Sequence, residues 1–136
     1  MDHGHADPTL FTGKLLEQSS ESIVLAIPGT DYKLHLAIKA PLPANALNRY
    51  DGRIRAQARR VDVIKAGGVF VEPVIGRPRR IQGRVIAVDA AANTITVKAV
   101  APFVCKLLDA RQKASDFEIG SMVSFDVERG ALFESI

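Results

Sequence analysis

Tryptophan is absent from these 136 residues, cysteine occurs once and aromatic side chains make up only 6% of the chain. Each scarcity closes off a class of protein. A lone Cys105 allows no intramolecular disulfide and fits a reducing compartment; set among Val104, Leu107 and Leu108, it reads as a buried, inert thiol. No run reaches the roughly 18 apolar residues that a membrane helix needs. The opening MDHGHADPTLF lacks the basic start, apolar stretch and cleavage site of a secretory signal, so the expected location is cytoplasmic. Also missing are a phosphate-cradling glycine motif, a zinc-ligand pattern and a Ser-His-Asp grouping. Neither an enzyme nor a cofactor is expected.

What is present is a 47% hydrophobic chain, enough to bury a compact core or two very small ones. Net charge is +3, unevenly spread. Between Arg49 and Arg84 ten basic residues stand against three acidic ones, whereas the remainder holds eight basic and twelve acidic. A basic island in an acidic frame favours an anionic partner at one face. The leader Met1-Asp2-His3 has the arrangement of a square-planar Cu(II) or Ni(II) site, but histidines near a terminus are commonplace and His35 has no partner in sequence; no metal is expected.

The densest positive charge lies in Gly52 to Val74, GRIRAQARRVDVIKAGGVFVEPV. Arg53, Arg55, Gln57 and Arg59 share one face of a two-residue period while Ile54, Ala56 and Ala58 share the other, which predicts a half-buried strand. At Arg59-Arg60 the alternation changes phase, as a β-bulge would make it, and Val61 and Val63 become the apolar positions. Lys65-Ala66-Gly67-Gly68 predicts a hairpin turn with a returning strand at Val69 and Val71. Asp62 and Glu72 would face each other across it, close to Arg60 and Lys65, as surface ion pairs.

Around this stretch the punctuation is that of short strands. FTGKLLEQ and SIVLAI form a first hairpin over Ser19 to Ser22, and TDYKLHLAI adds a third strand with Tyr32, Leu34, Leu36 and Ile38 on one face. Ala44 to Tyr50 reads as one or two helical turns. After Gly76-Arg77-Pro78-Arg79-Arg80 the pattern returns: QGRVIAVDAAANTITVKA parallels TGKLLEQSSESIVLAI, Val104 to Leu108 is a strand, DARQKASDF predicts two helical turns, and Met122 to Glu128 with Leu132-Phe133 predicts a closing hairpin. Gly13 to Gly52 spans 39 residues and Gly83 to Gly120 spans 37, which indicates a duplication. The expected division is a first unit over 9–76, a linker at 77–80 and a second unit over 81–136.

Three strands, a short helix or loop, then two more strands is the build of an OB-fold barrel, and the chain resembles OB-fold proteins through YDGRIRAQARRVDVIKAGGVFVEP, GRVIAVDAAANTITVKA and FEIGSMVSFDV. The resemblance implies an all-β chain of two small five-stranded barrels in tandem, each with a short helix or loop between strands three and four. GRVIAVDAAANTITV is also similar to the small periplasmic OB-fold copper chaperones. Their ligands are a Trp, two Met and a His; this chain has no Trp and reads Val104-Cys105-Lys106-Leu107 in its third strand, so copper binding is not carried over.

The expected site is therefore the basic face: Arg53, Arg55, Arg59, Arg60 and Lys65, extended by Arg77, Arg79, Arg80 and Arg84, with Tyr32, Tyr50 and Phe103 as base-stacking candidates. Residues two apart on a strand project about 6.5–7 Å apart, close to the spacing of successive phosphates. The partner this implies is single-stranded nucleic acid bound with little sequence preference. The alternative is an assembly module that docks an acidic protein or a second copy of itself; the purely architectural one is that the arginines coat a solvated strand or dock the acidic second half.

Overall fold

Alternation decides the central strand. In Arg49–Ala58 every second side chain from Tyr50 onward (Tyr50, Ile54, Ala56 and Ala58, with Gly52 in phase) is buried, while Arg55 and Gln57 are exposed and Arg53 half-buried. The computed structural model describes residues 7–136 and is all-β among them, apart from one 3-10 turn at Ala114–Asp116. Its strands are β1 (Phe11–Gln18), β2 (Ser22–Ala26), β3 (Lys33–Ala37), β4 (Arg49–Ala58), β5 (Asp62–Ile64), β6 (Phe70–Glu72), β7 (Ile75–Gly76), β8 (Arg80–Asp89), β9 (Thr94–Lys98), β10 (Pro102–Leu107), β11 (Met122–Asp126) and β12 (Leu132–Ser135).

Five of them close into a barrel. Hydrogen-bonded neighbours run β1, β2, β3, β12, β4 and back to β1, with β3 and β12 parallel and every other pair antiparallel. This ring is consistent with an OB-like fold. A shift in register between Leu15 and Glu17 bends β1 round the ring. Gly52 lets β12 approach: a Cβ there would fall on the Glu134 carbonyl and the Phe133 ring. Inside, Ile23, Leu25, Leu34, Leu36, Ile54 and Phe133 are buried, and Phe11 meets Phe133 edge to face at 5.9 Å.

The other strands continue the sheet from β4. Ile54 to Ala58 pair in parallel with Phe103 to Leu107 of β10, followed by β9, β8, β11 and β5 in order, while β6 pairs with β8 and β7 with β3. Beyond β11 the chain returns to the end of β4: Ala58 bridges Val127, Glu128 N–H donates to the Gln57 carbonyl at 2.8 Å, and Arg59 N–H to the Asp126 carbonyl at 2.9 Å. One hydrophobic core runs from Ile23 to Phe133 across both halves. β4 lies in its middle, not at an edge.

Several local expectations are corrected. Leu132–Ser135 does not form a hairpin with Met122–Asp126; it inserts between β3 and β4, where Phe133 reaches the barrel core. The barrel thus draws its fifth strand from the far side of the 77–80 stretch. No hairpin spans Lys65–Gly68 either, because β5 pairs with β11 and β6 with β8; Asp62 consequently meets Arg60, while Glu72 stands opposite Arg80. At Arg59-Arg60 the strand ends; it does not bulge, and Val61 is buried while Val63 is exposed. DARQKASDF makes only the one 3-10 turn, and Ala44 to Tyr50 makes none, since the Asn45 amide bonds both the N–H and the carbonyl of Arg49 and fixes a turn instead.

Candidate anion-binding cleft

The arginine strand meets acid almost everywhere. Register places Glu134 of β12 opposite Arg53 of β4, so one carboxylate oxygen lies 3.7 Å from Arg53 Nη1 and 2.9 Å from Arg55 Nε. Arg53 also reaches Asp7 at 3.1 Å, Arg59 reaches Glu128 at 2.6 Å, Arg60 reaches Asp62 at 3.1 Å, and Arg80 reaches Asp126 at 2.8 Å while donating to Ser124 Oγ. Arg84 donates to the Gly120 carbonyl. These pairs are largely solvent-exposed, each worth about 0–1 kcal/mol. Their main effect is on availability, because the charge of the row is taken up within the molecule. Asp7 is held below the usual carboxylate range, first by the Thr9 hydroxyl and backbone N–H and then by Arg53.

Among the described residues Arg49, Arg77, Arg79, Arg84 and Arg129 make no ion pair with a carboxylate. Three of these five converge. Arg77, Arg79 and Arg129 line a cleft of about 1060 Å³ with Arg59 and Arg80, over an apolar floor that includes Val71, Pro78 and Val127. Glu72, Asp126 and Glu128 also border it, so five arginines face three carboxylates there, a surplus of two positive charges. Pro78 is buried while Arg77 and Arg79 are exposed on either side of it.

A second hollow of about 480 Å³ shares Arg77, Pro78 and Arg129 and reaches Ser22, His35 and Ala37 on β2 and β3. The two form one continuous groove. It runs from the outer side of the barrel's second and third strands to the segments that lie between β4 and β12 in the chain.

Of the expected site residues, Arg59, Arg77, Arg79 and Arg80 are brought together. Arg53 and Arg55 line a hollow beside Thr94 and Val104, Arg55 also sharing a neighbouring hollow with Arg129, and neither they nor Arg60, Lys65 and Arg84 border the cleft. Tyr50 is buried with its hydroxyl bonded to the Pro43 carbonyl, Phe103 is buried, and Tyr32 is half-buried with its hydroxyl 3.5 Å from Val71 N. Arg129, His35 and Ser22 are not among the site residues that the sequence points to. Arg129 looks like half of an Arg-Gly turn, and only the return of β12 to the barrel carries it to Arg77; Gly130 makes that return with φ of 100°.

Other chemistry is thinly provided. Among the described residues no three His, Cys, Asp or Glu side chains group to hold a metal, and Met1-Asp2-His3 lies outside them. Cys105 is fully buried, which pushes its thiol pKa up, and Sγ lies 3.5 Å from the Phe103 carbonyl. No helix among the described residues is long and apolar enough to cross a membrane. Comparison with protein-family models, curated proteins and solved structures finds no match to this chain.

Proposed function

We propose that the protein is a non-enzymatic binding module that takes single-stranded nucleic acid along the groove of Arg77, Arg79 and Arg129. The observation that carries this is the contrast among arginines. Arg53, Arg55, Arg59, Arg60 and Arg80 have carboxylate partners, whereas three of the five that have none among the described residues, Arg77, Arg79 and Arg129, stand together over an apolar floor. Fold-level analogy supports it: OB barrels take oligonucleotides on their second and third strands, flanked by the loops after strands one and four. Here β2 and β3 border the groove, and everything between β4 and β12 stands in the place of the last of those loops.

Fluorescence anisotropy with short single-stranded DNA and RNA tests the reading. Binding should weaken steeply with salt, and replacing Arg77, Arg79 and Arg129 by Ala should flatten the log–log slope by about 0.7 for each phosphate left without its arginine. No salt-sensitive binding at low ionic strength would sink it. If poly-glutamate displaced the oligonucleotide at equal charge concentration, the partner would instead be an acidic protein.

The finer architecture belongs to the same proposal. We read β8, β9, β10, the Ile54–Ala58 half of β4, and β11 as a second OB-type ring that borrows its fifth strand from the first. In support, β10 and β4 are parallel, β8 and β11 antiparallel, and Ala58 bridges Val127. Amide exchange at Arg59 and Glu128, whose N–H groups cross that junction, as slow as at Ile95 would support closure, and exchange at loop rates would count against it.

A further inference from the structure

Nucleic-acid grooves on OB barrels ordinarily hold bases by stacking them on exposed rings, and each such ring strengthens binding roughly five- to hundredfold per base. This groove has no such ring. The chain holds six Phe, two Tyr and no Trp, and all eight rings fall within the described residues. Tyr50, Phe103, Phe117, Phe125 and Phe133 are buried; Phe11, Tyr32 and Phe70 are half-buried, Phe11 and Tyr32 packed against the core. None of the eight borders the cleft or the hollow that continues it.

What the groove does offer suits phosphate. A guanidinium takes two phosphate oxygens at once through parallel N–H bonds. Arg77 and Arg79, exposed on either side of buried Pro78, line the same cleft and can take neighbouring phosphates. Arg129 adds a third cation at the junction of the two hollows. Arg59 and Arg80 are held by Glu128 and Asp126 and contribute less.

We propose that the groove grips the phosphodiester backbone alone and leaves the bases turned to solvent, unstacked and unread. This rests on the nucleic-acid reading above. The recognised chemistry is then a linear chain of phosphates at nucleotide spacing, whatever the base and whether or not one is present.

Equal-length oligo-dT, oligo-dC and an abasic deoxyribose-phosphate oligomer distinguish the possibilities when compared by anisotropy competition on the full chain. Affinities should agree within about fivefold, the least that one stacked base contributes. All three should fall together in Arg77→Ala/Arg79→Ala and in Arg129→Ala, with tyrosine fluorescence melts confirming that the variants fold. An abasic oligomer more than about fivefold weaker than oligo-dT would overturn backbone-only recognition while leaving nucleic-acid binding intact. No salt-sensitive binding by any of the three would overturn both.

Discussion

The Glu134 carboxylate sits between two guanidinium groups of the same strand, 2.9 Å from Arg55 Nε and 3.7 Å from Arg53 Nη1. β12 delivers it there, so the arginine row on β4 recognises the strand that completes its own barrel.

A double-mutant cycle on Arg55 and Glu134 should therefore give a coupling energy of about 0.2–1 kcal/mol that shrinks in high salt, since Arg55 is about half-exposed and Glu134 a third exposed. Urea denaturation at two salt concentrations measures it. A coupling above about 2 kcal/mol would mean that the pair is shielded from solvent.

Phe133→Ala removes a buried ring from the barrel core and should cost about 3–5 kcal/mol by chemical denaturation. Gly52→Ala should also be severe for so small a change, because its methyl would meet the Glu134 carbonyl and that same ring. Residues 9–76 expressed alone lack β12 and should remain unfolded by circular dichroism and amide exchange.

Native protein should resist a thiol reagent at Cys105, for burial both hides the sulfur and raises the thiol's pKa, disfavouring the reactive thiolate. Labelling should appear with the unfolding transition in denaturant. Rapid native labelling would contradict the packing of β10.

Asp109 accepts a side-chain hydrogen bond and a backbone N–H from Arg111, and with the charge of that residue this lowers its carboxyl to about 2. The sign follows: a depressed folded pKa stabilises the turn above the ordinary carboxylate range and is lost as pH falls toward 2. Carboxyl-carbon NMR titration should find that midpoint, and Arg111→Ala should move it up.

Local pattern carried a good part of this fold. The in-and-out alternation of Arg49–Ala58, the first hairpin and the Leu34, Leu36, Ile38 face all follow from two-residue periodicity and turn residues. Pairing partners do not. Leu132-Phe133 alternates like the return arm of a hairpin, and nothing in its four residues says that Ala37 and Ile54 are its neighbours. The same holds for the cleft: Arg77, Pro78 and Arg79 announce an exposed basic stretch, but charge count alone cannot tell Arg55, whose partner is 79 residues away, from Arg129, which has none among the described residues. Aromatic residues mislead in the opposite direction, for Tyr50 is drawn inward by its core-facing position on β4.

Because β12 slots between β3 and β4, the barrel stays open until a segment more than seventy residues downstream of Ala58 has been synthesised and has found its gap. Closing so long a loop is entropically costly, and during the wait the facing edges of β3 and β4 are bare. The early strands are thus a template held in readiness, and the intervening residues must fold, or be kept from aggregating, before the template can be used.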